Sequence, residues 1–408
     1  MKKHILSLLL LLLAPCLAAA QNFEEYFSDS TLRLDYIFAG DYRQQHIYVD
    51  QLAMSPRWYG RRSRLDEVPL KGNGSITVSD QESGKVIYRH SFSTLFQEWL
   101  STAEAKTTAK SFENVFLIPY PKHPVTISVE LRDYHEQPMA IMQHDVDPSD
   151  ILIRRLTPKA NYVTLQQAAD TTHCIHIAYV AEGYTAEQMN QFLEDCRVAN
   201  ESLFSHEPFK SMRQRFNIVA LLSASKDSDV SQPGKGIWLD TALDSHFDTF
   251  YSERYLTTLH LKQLHDLLAG APYEHIIVLA NTAHYGGGGI YNSYNLSYTR
   301  GSQFRPVVVH EFGHSFGGLG DEYPYGDDDP MYFSDTEPWE PNLTTHPENP
   351  KWQDLINQGK ASVIEGGGYL SKGVWRAQEN CRMRTNEHPD FCPVCQQALT
   401  RLIDFYTK

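Results

Sequence analysis

The sequence predicts an all-β sandwich followed by an α/β domain, both behind an apolar N-terminal leader. Two patterns carry this. Between residues 23 and about 153, apolar and polar residues alternate in short runs broken by turn formers. Beyond about residue 165, apolar runs of strand length alternate with amphipathic stretches of helix length. The 408 residues, 41% hydrophobic with 24 Gly and 21 Pro, suffice for one large core or two ordinary ones, which excludes a disordered or fibrous chain.

The leader comes first. Lys2, Lys3 and His4 precede an apolar run over residues 5–20 that ends in Ala18-Ala19-Ala20, the charged, apolar and cleavable regions of a secretory signal. The run is too short to span a membrane comfortably. Cleavage after Ala20 leaves Gln21 as the new terminus. Leu13-Ala14-Pro15-Cys16 faintly resembles a bacterial lipoprotein box, with Pro unfavourable before Cys, so acylation at Cys16 is the minority alternative. The protein is therefore expected outside the cytoplasm, secreted, periplasmic or at the cell surface. Lys plus Arg total 36 against 50 Asp plus Glu, and a net charge of −14 argues against a nucleic-acid partner.

The N-terminal region, residues 21–155, contains the strand runs Leu32-Arg33-Leu34-Asp35-Tyr36-Ile37-Phe38, Gln45-His46-Ile47-Tyr48-Val49, Ser75-Ile76-Thr77-Val78, Lys85-Val86-Ile87-Tyr88, Asn114-Val115-Phe116-Leu117-Ile118 and Val125-Thr126-Ile127-Ser128-Val129-Glu130-Leu131. Gly72-Asn73-Gly74 marks a turn among them. No cluster of catalytic residue types occurs there, and an accessory role is expected. A polar stretch around residues 156–170 leads into the second domain, residues 165–408. There Ile175-His176-Ile177-Ala178-Tyr179-Val180, Phe216-Asn217-Ile218-Val219-Ala220-Leu221-Leu222 and Glu274-His275-Ile276-Ile277-Val278-Leu279-Ala280 read as strands. Thr185 reads as the N-cap of a helix to about residue 204, and residues 249–268 read as helical.

Chemistry concentrates at Val307-Val308-Val309-His310-Glu311-Phe312-Gly313-His314. Pro306 fits a first helical turn, where its missing N–H costs nothing, and the valines make a buried wall. His310 and His314, four residues apart, project from one helix face and can bind the same Zn²⁺, one catalytic ion per chain. Glu311 beside them is placed to take a proton from water rather than to bind the metal. The helix then meets glycines in Ser315-Phe316-Gly317-Gly318-Leu319-Gly320-Asp321-Glu322-Tyr323. The segment turns into an acidic pair, Asp321 and Glu322, and a carboxylate is an acceptable zinc ligand.

Metzincin zinc peptidases likewise end their zinc helix at a glycine and place the third ligand three residues later, a resemblance that, counted from Gly318, implies Asp321 as the third ligand here, with Glu322 the competitor. The present sequence departs from that spacing by one inserted residue and has no His there. Metzincins also carry a methionine in a turn beneath the site, and Met383 in Cys381-Arg382-Met383-Arg384 is the candidate. With Cys392-Pro393-Val394-Cys395, the set of motifs resembles the IgA peptidase family of zinc metalloendopeptidases, family sixty-four of the metallopeptidases. The similarity runs from roughly residue 169 to the C-terminus, and the β-rich region resembles the N-terminal domain of some members. The resemblance implies a metzincin-like α/β catalytic domain and secreted bacterial proteolysis of a protein or glycoprotein, immunoglobulin A being the substrate of the namesake only. The alternatives are a surface module binding glycans or proteins on a zinc scaffold, which the presence of Glu311 disfavours, and a metallopeptidase of mucin-type glycoproteins.

Other residues complete the set of expectations. Apart from Cys16, five cysteines remain, so at least one lacks an intramolecular partner. Cys392 and Cys395 have the spacing of half a zinc knuckle. Only Cys381 lies near, so in an oxidising compartment a disulfide from Cys381 to Cys392 or Cys395 is expected ahead of a structural metal. Gly287, Gly288 and Gly289, in a run just before the helix, let a backbone approach closely, as for a peptide added at a sheet edge, or form a plain loop. Tyr323 or Tyr291 is the candidate to stabilise an oxyanion. Asp227-Ser228-Asp229 and Asp327-Asp328-Asp329 offer oxygen ligands to Ca²⁺ without a full loop motif.

Overall fold

A computed structural model describes residues 22–327 and 330–408; the expected leader, its cleavage site and Cys16 lie outside the described residues. The N-terminal region forms β1 (Phe27–Gly40), β2 (Gln45–Pro56), β3 (Gly74–Asp80), β4 (Val86–Phe92), β5 (Lys110–Pro121), β6 (Val125–Arg132), β7 (Pro138–Val146) and β8 (Arg154–Arg155). They make two four-stranded sheets, in the orders β5-β1-β2-β8 and β4-β3-β6-β7. Strict alternation of buried and half-buried residues along β3 and β6 follows from the period-two geometry of a strand with one face covered. The rings of Phe38, Phe92 and Phe116 bring the two sheets together, Phe92 and Phe116 with centroids 4.3 Å apart. A short helix, Leu95–Leu100, is capped by Thr94, whose side chain accepts the Gln97 N–H.

The second half is mixed α/β. It contains β9 (Tyr162–Gln166), β10 (Ile175–Glu182), β11 (Phe216–Leu221), β12 (His275–Ala280), β13 (Gly287–Ile290) and β14 (Tyr294–Tyr298), in the order β13-β14-β12-β10-β11-β9. The four inner strands are parallel and buried apart from Asn217 of β11, and the edge strands β13 and β9 run antiparallel. Alternate residues of the inner strands enter two different cores. Ile175, Ile177, Tyr179, Ile277 and Leu279 face the helices Met189–Leu203, Phe304–Ser315 and Pro393–Thr407. Ala178, Val180, Val278 and Leu296 face the other way, in a core continuous with that of the N-terminal sheets. A small sheet of β15 (Pro324–Gly326), β16 (Ile364–Gly367) and β17 (Tyr369–Arg376), in the order β15-β17-β16, follows the long central helix. No described helix is long and apolar enough to cross a membrane.

Two readings of the sequence need correction. Only Leu261–Leu267 of the expected 249–268 helix is an α-helix, because Asp248, Phe250 and Tyr251 take positive φ and residues 246–257 are held by bridges to neighbouring chain segments. Phe247 and Leu256 reach the core without a helix to carry them. Part of the polar connection at 156–170 is strand β9, a short edge strand whose side chains are exposed or half-buried.

A charge cluster centred on buried Arg33 joins the two halves. Arg33 on β1 holds Asp35 through Nε at 2.6 Å and Asp266 of the Leu261–Leu267 helix through Nη1 at 2.5 Å. Arg33 and Asp35 are 3% and 1% exposed, so removing one partner strands the other charge in the interior. Arg33→Ala should lower stability by about 3–5 kcal/mol, and Arg33→Met with Asp35→Leu should recover most of that loss, as read by urea denaturation.

Candidate metal centre

The helix Phe304–Ser315 starts from Gln303 with Pro306 in its first turn and buries Val307, Val308, Val309 and Phe312. Val308, Val309 and Phe312 enter the core shared with the sheet, and beside Val307 a cavity of about 790 Å³ is lined by His310 and His314. Their Nε2 atoms lie 3.0 Å apart. The chain leaves the helix at Phe316 and reverses at Gly318, whose φ is +55°. Asp321 returns with Oδ1 3.1 Å from His310 Nε2 and 3.3 Å from His314 Nε2. These separations match the edges, about 3.3 Å, of a tetrahedron with ~2.0 Å bonds to nitrogen and oxygen.

Each neighbour fixes one of these atoms. His310 Nδ1 donates to the Arg382 carbonyl at 3.0 Å and His314 Nδ1 to the Leu319 carbonyl at 2.6 Å. A carbonyl only accepts, so both Nε2 atoms of the neutral rings present lone pairs. Asp321 Oδ1 is buried and has no hydrogen-bond donor, while Tyr369 donates to its other oxygen at 2.5 Å. Three lone pairs therefore face one another, an arrangement stable only around a cation or a proton. Without a metal the proton is taken up: burial alone would lower the His314 pKa, but Asp321 and then Glu311 raise it to about 9. Burial opposes ionisation of Asp321, yet His314 and His310 hold its carboxyl well below the usual range.

Glu311 is excluded from this triangle. Its carboxylate lies against β13, where a Cβ on Gly287 would come within 2.6 Å of Oε1, and burial raises its pKa. Gly289 meets the Glu311 backbone and His314, and Gly288 meets Tyr255 on the opposite face. The glycine run thus lets β13 press against the helix. It is an edge strand, as the substrate-edge reading requires, but its outer side at Gly287 is bonded to the Arg254 carbonyl and the Leu256 N–H. Met383 packs beneath Gly313, where a Cβ would lie 2.6 Å from its sulfur. Tyr323 stacks on His310 with centroids 6.5 Å apart, whereas Tyr291 lines the cavity and packs on Trp339.

Glu322 does not join the histidines. Its Oε1 accepts from Asn342 Nδ2 at 3.0 Å and lies 3.4 Å from Cys395 Sγ. The expected disulfide is absent: Cys174, Cys196, Cys381, Cys392 and Cys395 are all free, and Cys381 Sγ stands 3.7 Å from Cys395 Sγ, against ~2.05 Å for a bond. The calcium expectation finds no support among the described residues. Asp227 accepts the Asp240 N–H, Asp229 the Val230 N–H, and Ser371 donates to Asp327, so these carboxylates hold loops; Asp328 and Asp329 lie outside the described residues.

Three residues were not legible as site residues in the sequence. Tyr369 comes from a strand over forty residues away from Asp321. Glu98, on the N-terminal helix Leu95–Leu100, lines the same cavity, accepts from Tyr255, and is pushed by burial up to about 7. An isolated Glu in an apolar helix face carries no pattern.

A histidine pair, a carboxylate and a buried glutamate on a parallel-sheet scaffold, opening on one cleft, are the parts of a hydrolase, and the comparisons make it a peptidase. Residues 163–364 and 359–403 match the family described as IgA Peptidase M64, and residues 22–143 match the family described as Peptidase M64 N-terminus. The chain belongs to the IgA peptidase M64 family. No curated protein matches the sequence.

Removing the Tyr369 hydroxyl should leave the ligands in place but free Asp321 to rotate. Tyr369→Phe should weaken metal binding about 10 to 100-fold in a chelator competition, with the fold unchanged by circular dichroism. In metal-free protein Glu98 keeps its proton between about 4.5 and 7 where the unfolded chain has released it. The native state then binds more protons, so stability falls as pH rises through that window. Glu98→Gln should reduce the stability difference between pH 5 and pH 8 by on the order of 1–3 kcal/mol in urea titrations.

Proposed function

We propose that this peptidase is a zinc-dependent endopeptidase, exported by a leader at residues 1–20 and acting on extracellular proteins. In this reading an accessory β-sandwich at residues 21–155 precedes a metzincin-like catalytic domain at residues 165–408. The observation that carries it is the convergence of three lone pairs, from His310, His314 and Asp321, beside a buried carboxylate that takes no part in them. Two imidazoles and one carboxylate are a catalytic zinc set, three protein ligands leaving an open position.

A bound ion would supply Lewis acidity toward water and toward the scissile carbonyl. The chain does the rest. Glu311, raised by burial and close to the cleft, accepts a proton from the attacking water and hands it to the leaving amine. The carbonyls of Arg382 and Leu319 hold the imidazoles in one tautomer. Tyr323, stacked on His310, is the better placed of the two candidate tyrosines to donate to the developing oxyanion. The substrate lies in the cleft between β13 and the loop before β15, with Glu98 forming part of the wall. A chain of either a protein or a glycoprotein is compatible with that open groove.

Glu311→Gln should lower peptide hydrolysis by at least about 100-fold while metal content stays that of the wild type. A chelator should abolish hydrolysis and added zinc restore it. Hydrolysis by Glu311→Gln at the wild-type rate would refute the role given to Glu311. Profiling with a peptide and glycoprotein library identifies the substrate class.

A further inference from the structure

Behind the candidate active site lies a second group of ligand atoms. Cys381, Cys392, Cys395 and Glu322 are all buried, and one atom from each lies within 4.8 Å of all the others. Two separations fit a shared ion. Cys381 and Cys395 sulfurs are 3.7 Å apart, and Cys395 Sγ is 3.4 Å from Glu322 Oε1. A tetrahedron with ~2.3 Å metal–sulfur and ~2.0 Å metal–oxygen bonds has edges of about 3.8 Å between sulfurs and about 3.5 Å between sulfur and oxygen. Both measured edges fall within about 0.1 Å of those values.

We propose that Cys381, Cys392, Cys395 and Glu322 bind a second, structural Zn²⁺. Three elements contribute: Cys392 and Cys395 from the first turn of the C-terminal helix, Cys381 from the turn before Met383, and Glu322 from the loop after the histidine helix. At the helix N-terminus, hydrogen bonds from Cys381 and Cys395 favour the Cys392 thiolate, while burial opposes ionisation of Cys395 in the absence of a cation. The Cys392 N–H donates to Cys381 Sγ at 3.2 Å, which favours that thiolate too. Glu322 Oε2 is buried with no hydrogen-bond partner, and Asn342 fixes the other oxygen. Three thiolates and one carboxylate carry the charge of a closed four-thiolate site. A disulfide would use two of the sulfurs and leave Glu322 Oε2 without a partner in the interior.

Such an ion would brace the first site without touching substrate. Arg382, which accepts from His310, follows Cys381, and the Met383 carbonyl accepts the Glu322 N–H at 2.9 Å. Asp321 immediately precedes Glu322. One ion would thus tie down both the turn under His310 and the loop that delivers Asp321.

The full chain, reconstituted with zinc and freed of excess, is expected to hold two ions by elemental analysis. His310→Ala should hold one, and so should Cys392→Ser with Cys395→Ser. Adding p-hydroxymercuribenzoate to the wild-type protein should release one ion, with no need for a variant to fold. Replacement with Co²⁺ should produce sulfur-to-metal charge-transfer absorption that persists in His310→Ala. A single ion released only by His310→Ala, no thiolate–cobalt absorption, or a non-reduced peptide map joining two of the three cysteines would each overturn the proposal. Because these readouts follow sulfur and not hydrolysis, they are independent of whether the peptidase mechanism holds.

Discussion

The rest of the site depends on three lone pairs held against one another in a buried place. His310 Nε2, His314 Nε2 and Asp321 Oδ1 repel unless a cation or proton lies among them, so the fold must hold them by other means. The surrounding chain supplies those means one atom at a time. Carbonyls of residues 319 and 382 fix the rings, Tyr369 fixes the carboxylate, and a four-residue helical spacing fixes the two rings to each other. None of these partners could be moved without freeing a ligand atom to rotate away.

Close packing behind the helix serves the same end. At β13 the helix meets strand backbone directly, because the strand's glycines leave no side chains between the two elements. Gly287 and Gly289 let β13 meet Glu311 and His314 directly, and Gly313 lets Met383 pack under the same turn. The helix is therefore clamped from two sides, and Glu311 is desolvated by backbone instead of by a bulky side chain. That placement leaves its carboxylate near the cleft while raising its proton affinity.

Local pattern made much of this legible. The parallel strands β10, β11 and β12 are continuous apolar runs, and both histidines with Glu311 lie on one helix, so their relation is fixed by 3.6-residue periodicity alone. What stayed hidden was set at long range. Tyr369, Glu98 and Tyr255 reach the cleft from separate elements, and nothing in their neighbourhoods marks them. The 249–268 region misled because its apolar residues are buried individually from a bridged loop, which imitates helical composition without helical hydrogen bonds. The cysteines misled for another reason: counting thiols in an oxidising compartment suggested a bond, whereas the fourth member of their group is a carboxylate sixty residues upstream.

That carboxylate also explains how neighbouring acids came to separate roles. The segment 321–323 is extended, with the Asp321 carbonyl accepting from Gly368, the Glu322 N–H donated to Met383, and the Tyr323 carbonyl accepting from Tyr369. Successive side chains in an extended chain point to opposite sides. Asp321 and Tyr323 consequently face His310, and Glu322 between them faces the cysteines. A one-residue slip in this segment would exchange the two carboxylates, sending the longer side chain to the histidines and the shorter one to the sulfurs. The register is held by Asn342, which bonds both polar groups of the Gly320 backbone, N–H and carbonyl, as well as Glu322 itself. A single buried amide thus joins the backbone ladder in fixing which acid reaches which group of ligand atoms.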